Sequence, residues 1–260
     1  MRYWLTQYSS LAKHRDRLPQ PGSVIASSFT SPVDCLYLAA IFDPVFTASY
    51  PKTRLVQHIS LFEAIFRALA SPQKTPPPGA KLVPLSALLK KYPNSVIVVL
   101  PECTTSNGRG ILSLSPSILT ATTRTKIYPV NLRYSPSDVT TPLPGAYLSF
   151  LWDLCSRPTH CIRVRIAEAI QISTNIRQNG VAEAISGATN TNGETFLDAS
   201  FSSAETLTDD GKDGVTSGEQ KVLDRIADDL ARLGRAKRVG LGVKEKVDFI
   251  KVWTKTRTIW

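Results

Sequence analysis

The sequence predicts a layered α/β domain over residues 22–170, a flexible linker over 171–216 and a C-terminal helical pair over 217–260. Three observations lead there. Short β-branched runs alternate with segments of helical apolar spacing up to about residue 170, an order that builds a sheet covered by helices. From Gln171 onward the composition turns to Ser, Thr, Asn, Gly and Asp without an apolar period, as in a linker. Near residue 217 two amphipathic stripes begin.

Residues 1–21 are polar and basic and read as a lead-in to the domain. Val24–Ser27 is a short strand. Ser31-Pro32-Val33-Asp34 starts a helix: Ser31 caps it, Pro32 takes the position where a missing N–H costs nothing, and Asp34 can accept from the cap backbone. That helix reaches about Ile41, and a strand follows over 44–49. Leu61, Phe62, Ile65, Phe66 and Leu69 stand at helical spacing, which predicts a helix over 56–69. Residues 71–79 contain three consecutive prolines and form a loop. A short helix over 84–91 and a buried strand over 96–100 come next. A strand over 126–134 and a helix over 147–154 follow. Cys161–Ile166 alternates Ile162, Val164 and Ile166 with Arg163 and Arg165, a half-buried strand with a basic outer face. Thr216 and Glu219 form a capping box ahead of Val222, Ile226, Leu230 and Leu233, a stripe that ends at Gly234. Residues 235–242 make a basic hinge, and 243–253 a second helix with Val243, Val247, Ile250 and Trp253 on one side.

The net charge of +10 and a pI near 9.6 favour anionic partners, either phosphate compounds or acidic lipid surfaces. No aromatic-basic block or zinc-finger spacing points to nucleic acid, so none is expected as a partner. Four cysteines without Cys-x-x-Cys or a chelating His spacing indicate free thiols in a reducing compartment and no metal. No segment has the signature of a signal peptide or the apolar length of a transmembrane helix.

The richest chemistry lies where the strand over 96–100 stops at Pro101. The turn Glu102-Cys103-Thr104-Thr105-Ser106-Asn107-Gly108-Arg109 offers backbone N–H groups, hydroxyls and a guanidinium to one small volume, as a phosphate requires. Its plainer reading is a tight Asn-Gly turn with a solvent-facing Arg109. Asp34, likewise, reads on its own as a capping carboxylate. Cys103 is a caution, because a Cβ costs on the order of 1 kcal/mol if the position needs positive φ.

Residues 101–110 resemble the Pro-Glu-Gly-Thr block of the PlsC-type glycerolipid acyltransferases, with Cys103 in place of Gly. Residues 28–34 resemble that family's Asn-His-x-Ser-x-x-Asp block, with Phe29 at the His position. Lys126–Leu132 is similar to its Pro-Val strand block, and Arg54 is a loose match to its second block. The likeness extends over about 20–170 and is nearest to a fungal lysophosphatidic acid acyltransferase branch of the endoplasmic reticulum and lipid droplets.

The resemblance implies a PlsC-like α/β fold with a C-terminal helical extension. It implies acyl transfer from acyl-CoA, a co-substrate and not a cofactor, to a lysophospholipid hydroxyl, most simply lysophosphatidate. Asp34 would orient or stabilise the proton-accepting group, and Glu102 would shape the site. Thr104, Thr105, Ser106, Asn107, Gly108 and Arg109 would hold the acceptor phosphate, and Pro129 and Val130 would line the acyl-CoA site. Phe29 has no lone pair and cannot be the base. An imidazole there would be expected beside Asp34. His58 is the better replacement among His14, His58 and His160. The missing base leaves a second reading, a catalytically silent lipid- or phosphate-binding scaffold. The family usually has a hydrophobic segment ahead of the first block. Here the block lies near the start, which implies a shortened chain or peripheral binding to the cytosolic face of the membrane. The basic residues and tryptophans of 235–260 are the expected anchor.

Overall fold

The computed structural model describes residues 18–135, 137–144, 146–172 and 214–257, with side chains through Lys255 in the last helix. The bulk of the expected lead-in and linker, His14 and Trp260 lie outside these residues. Seven strands form one mixed sheet: β1 (Val24–Ser27), β2 (Val45–Ala48), β3 (Val56–Ile59), β4 (Leu82–Val83), β5 (Ile97–Val99), β7 (Ile127–Ser135) and β8 (Cys161–Ile166). Their order is β4-β3-β2-β5-β1-β7-β8. The central strands β2, β5, β1 and β7 run parallel, and β3, β4 and β8 add antiparallel edges. A parallel centre needs both faces covered, and its strands therefore read as continuous apolar runs.

Alternate side chains of these strands feed two cores. Ile25, Val98, Val130 and Leu132 point to one face. There they meet Cys35 and Leu38 of α1 (Pro32–Phe42), Ala64 and Ala68 of α2 (Leu61–Leu69), and Phe150 of α4 (Tyr147–Cys155). Val24, Ala26, Ile97, Val99 and Ile127 point to the other. They meet Leu85 and Leu88 of α3 (Leu85–Lys91), Ile118 and Leu119 of a short 3-10 turn, and Val222, Ile226 and Leu230 of α5 (Ser217–Gly234). The result is a sheet between two helical layers, the mixed α/β architecture that the alternation predicts.

Two sequence expectations change. Residues 56–59 are not the first turn of a helix but strand β3, paired antiparallel to β2. The helix begins one turn later, at a capping box between Ser60 and Glu63. The β-branched Val56 and Ile59 find a strand neighbour, and tertiary pairing overrides the helical spacing. The C-terminal helices, expected as a pair beyond the domain, also do not stand apart. Burying each large side chain of α5 contributes roughly 1.5–3 kcal/mol, and α5 completes the cover that α3 and the 3-10 turn begin on that face of the sheet. A long-range partner of this kind leaves no local signal.

The 235–242 hinge is likewise engaged. Its strand β9 (Lys237–Arg238) pairs in parallel with β6 (Gly110–Ile111), at the exit of the Pro101–Gly110 turn. The last helix is α6 (Val243–Arg257), with Val243 and Ile250 buried.

Arg54, the loose match in the sequence, clamps the start of α5. Its guanidinium donates to Glu219 Oε1 at 2.8 Å and Oε2 at 2.7 Å and to the Gly214 carbonyl at 2.7 Å. This bidentate pair holds the Glu219 carboxyl down at about 2. A depressed carboxylate adds stability that is fully present above its unfolded value and is lost as pH falls toward 2. Arg54→Ala should therefore cost about 1–2 kcal/mol in denaturant titration at pH 7. The difference from the parent should shrink between pH 4.5 and 2.

Candidate functional site

The carboxyl ends of the parallel strands converge on one corner of the sheet, where α/β folds place their ligands. β1 delivers residues 28–34 there, β5 delivers Pro101–Gly110, and the far half of β7 forms the adjoining wall. A cavity of about 260 Å³ opens at this corner, lined by Thr30, Asn107, Gly108, Arg109, Arg133 and Tyr134 among others.

Asp34 sits in the first turn of α1 and is fully buried. The Thr30 and Ser31 N–H groups donate to its Oδ2 at 2.7 and 2.9 Å, and the Thr30 hydroxyl donates to the same oxygen at 3.1 Å. The Tyr134 hydroxyl donates to Oδ1. Burial outweighs these donors and pushes the carboxyl up to about 6. Asp34 is therefore a cap, and it is also the acceptor for a phenol on the cavity wall.

Glu102 is buried as well. It accepts from the Phe29 N–H at 3.2 Å and from the Leu112 N–H at 3.1 Å, so it ties the two loops together. Burial pushes it up to about 7. Cys103 takes φ +58°, the left-handed region that the neighbouring turn demands. Its thiol, pushed up to about 12 by burial, stays protonated at neutral pH and is no nucleophile.

The expected phosphate-binding run divides. Thr104, Thr105 and Ser106 are buried and do not line the cavity. The Ser106 N–H donates to the Phe29 carbonyl at 2.8 Å. Thr105 faces α6, whose Lys246 ammonium donates to the Thr105 carbonyl at 2.8 Å. Asn107, Gly108 and Arg109 do line the cavity. The Asn107 Oδ1 accepts from the Arg109 N–H at 3.0 Å, and Gly108 has φ +68°, which closes the turn. Pro129 and Val130 lie in the sheet interior and do not reach the cavity, whereas Asn131 and Leu132 do.

Phe29 is buried in the apolar cluster with Ile25, Cys35 and Leu38, and it is not part of the cavity wall. Neither described histidine replaces it. His58 is exposed on β3 and stacks on Tyr92, and His160 contacts the Leu154 carbonyl. Sequence reading missed Tyr134, Arg133, Thr30 and Lys246. The period-2 alternation of β7, which sets Tyr134 on the face of Val130 and Leu132, is the signal that could have found the first. Lys246 approaches from a segment more than a hundred residues away and has no sequence signal. Among the described residues no group of three or more His, Cys, Asp or Glu side chains could hold a metal ion.

Comparison with known proteins adds one finding. The chain is 29% identical over 156 residues to a Schizosaccharomyces pombe protein provisionally named lysophosphatidic acid:oleoyl-CoA acyltransferase. The match covers 60% of this chain and 52% of that protein, so the chain spans about half the length of its curated relative. No family model matches the chain, and no solved structure matches it significantly. The mixed α/β sheet described above is compatible with a domain of that kind.

Phe29→His should not increase any transfer activity. It should also lower the melting temperature, because it places an imidazole in an apolar cluster at a cost of about 1–3 kcal/mol. Activity and thermal unfolding of the one variant check both statements. The buried carboxyls set a pH dependence of their own. Asp34 and Glu102 hold protons to higher pH in the folded chain than in the unfolded one. The stability they confer is fully present below about pH 4 and falls as pH rises through about 6 and 7. Glu102→Gln should flatten the slope of unfolding free energy between pH 5 and 7, even though it lowers stability throughout.

Proposed function

We propose that the chain transfers an acyl group from acyl-CoA to the free hydroxyl of a lysophospholipid, with lysophosphatidate as the first candidate acceptor. One observation carries this reading: the cavity at the strand ends joins two guanidiniums to the Asn107-Gly108 turn. Among the described residues Arg109, which is exposed, has no carboxylate partner, and Arg133 donates only to the Gly234 carbonyl, at 3.4 Å. Two cations without carboxylate partners among the described residues suit a phosphate monoester, and Arg109 is its clamp. The name of the fission yeast relative supports the same substrates.

The scaffold reading has its own support in Phe29, which leaves the position of the expected base apolar and shut away from the cavity. A purified chain given labelled acyl-CoA and a panel of lysophospholipids separates the two. Transfer to at least one acceptor is expected. Tight lysophosphatidate binding without transfer would favour the scaffold.

We also propose that the protein works at the cytosolic face of the endoplasmic reticulum or a lipid droplet, bound peripherally. No helix among the described residues is long and apolar enough to cross a membrane. Phe249, Val252 and Trp253 of α6 are exposed and support a lipid contact there. The basic set expected to assist them is smaller than the sequence suggests. Lys246 is bound to Thr105, and Arg238 pairs with Asp224 and Asp228.

Arg109→Ala should weaken binding of lysophosphatidate by about 1.5–3 kcal/mol, roughly tenfold or more. It should leave an uncharged monoacylglycerol almost unaffected. Binding of the two ligands by the same variant checks this, and an equal loss for both would assign Arg109 to the fold.

A further inference from the structure

The acyl-transfer reading lacks a group to take the proton from the acceptor, and on that reading we propose that Tyr134 fills the role, handing its own phenolic proton to Asp34. Asp34 is fully buried and cannot touch a substrate. Two of its partners, Tyr134 and Thr30, reach the cavity that holds Arg109. The Thr30 hydroxyl lies 3.1 and 3.4 Å from the two carboxylate oxygens, a divided contact. The Tyr134 hydroxyl donates to Oδ1, has the Ser31 side chain as a further hydrogen-bond neighbour, and belongs to a residue that lines the same cavity as the Asn107-Gly108-Arg109 turn. A hydroxyl held in the cavity by its phosphate can donate to the Tyr134 oxygen while the Tyr134 proton remains on the path to Asp34.

The step balances. The acceptor oxygen attacks the thioester carbonyl, and a C–O bond forms as the acceptor O–H breaks. Its proton passes to the Tyr134 oxygen, and the phenolic proton passes to Asp34 Oδ1. When the tetrahedral intermediate collapses, the C–S bond breaks and the thiolate leaves. The proton returns from Asp34 through Tyr134 to that sulfur, so the products are the ester and free coenzyme A thiol.

The surroundings favour a relay over a free base. Burial, with the Asp34 charge beside it, raises the Tyr134 hydroxyl, so the phenol keeps a proton at rest. Asp34, pushed up to about 6, takes a proton more readily than an ordinary carboxylate. The other titratable groups near it are the Cys35 thiol, raised by burial, and Glu102.

The test uses the whole chain with acyl-CoA and a lysophospholipid. Tyr134→Phe keeps the ring and removes only the hydroxyl. Asp34 loses one donor, so the melting temperature should drop, and with activity measured well below it we expect kcat to fall about 10²–10⁴-fold with KM for acyl-CoA unchanged. Asp34→Asn should lose a similar factor, and the double variant should be no worse than the poorer single one, because the two act as a unit. If the parent chain transfers nothing, the acyl-transfer reading fails and this inference fails with it. If the parent is active and Tyr134→Phe keeps its kcat, only the inference is overturned. Losses that multiply in the double variant, or a Tyr134→Phe loss that merely follows its melting temperature, overturn it as well. So does a Thr30→Val variant that loses kcat while Tyr134→Phe does not.

Discussion

Asp34 carries a carboxyl group to a place that water does not reach, and the corner of the fold around it is organised by the need to satisfy that group. The Thr30 and Ser31 N–H groups can bond it only if the chain turns sharply out of β1 into α1. The Tyr134 hydroxyl can reach it only if β7 lies beside β1 in the register that pairs Val130 with Ser27. One side chain thus couples a helix start to a strand far off in sequence. A buried carboxyl with this many donors leaves little freedom for the segment between them, and that segment forms part of the cavity wall.

Glu102 repeats the device on the opposite side. It holds the Phe29 and Leu112 backbones, and so it fixes the distance between the 28–34 segment and the far end of the Pro101–Gly110 turn. The turn bears a local cost for this. Cys103 sits at φ +58°, where an L side chain is disfavoured by roughly 1–2 kcal/mol, and the surrounding bonds hold it there. Strain in a buried turn persists when hydrogen bonds on both sides determine the same geometry.

The C-terminal segment belongs to the same construction. α5 closes one face of the sheet, β9 pairs with β6 at the turn's exit, and Lys246 of α6 is bound to the Thr105 carbonyl. The ammonium is drawn down to about 8 by its burial, and it stays where it is because the carbonyl and hydroxyl of Thr105 receive it. A lipid-contacting α6 would therefore also be in contact with the turn that carries Arg109. Binding at a surface and geometry at the site would share a lever of a few side chains.

Much of this was legible along the chain. The Ser31 capping box, the buried strand ahead of Pro101, the Asn107-Gly108 turn and the stripe of α5 are local patterns, each set by residues within a few positions of one another. Asp34 as a cap and Cys103 at a strained position were readable for the same reason. Tertiary structure decided the rest. Whether Phe29 faces the cavity or the core depends on how α1 lies against the sheet, and it faces the core. Whether residues 56–59 are helix or strand depends on β2 offering an edge. Tyr134 meets Asp34, and Lys246 meets Thr105, across about a hundred residues or more. Sequence spacing encodes direction along one element, but a meeting between two elements is settled only when burial of both cores selects their packing.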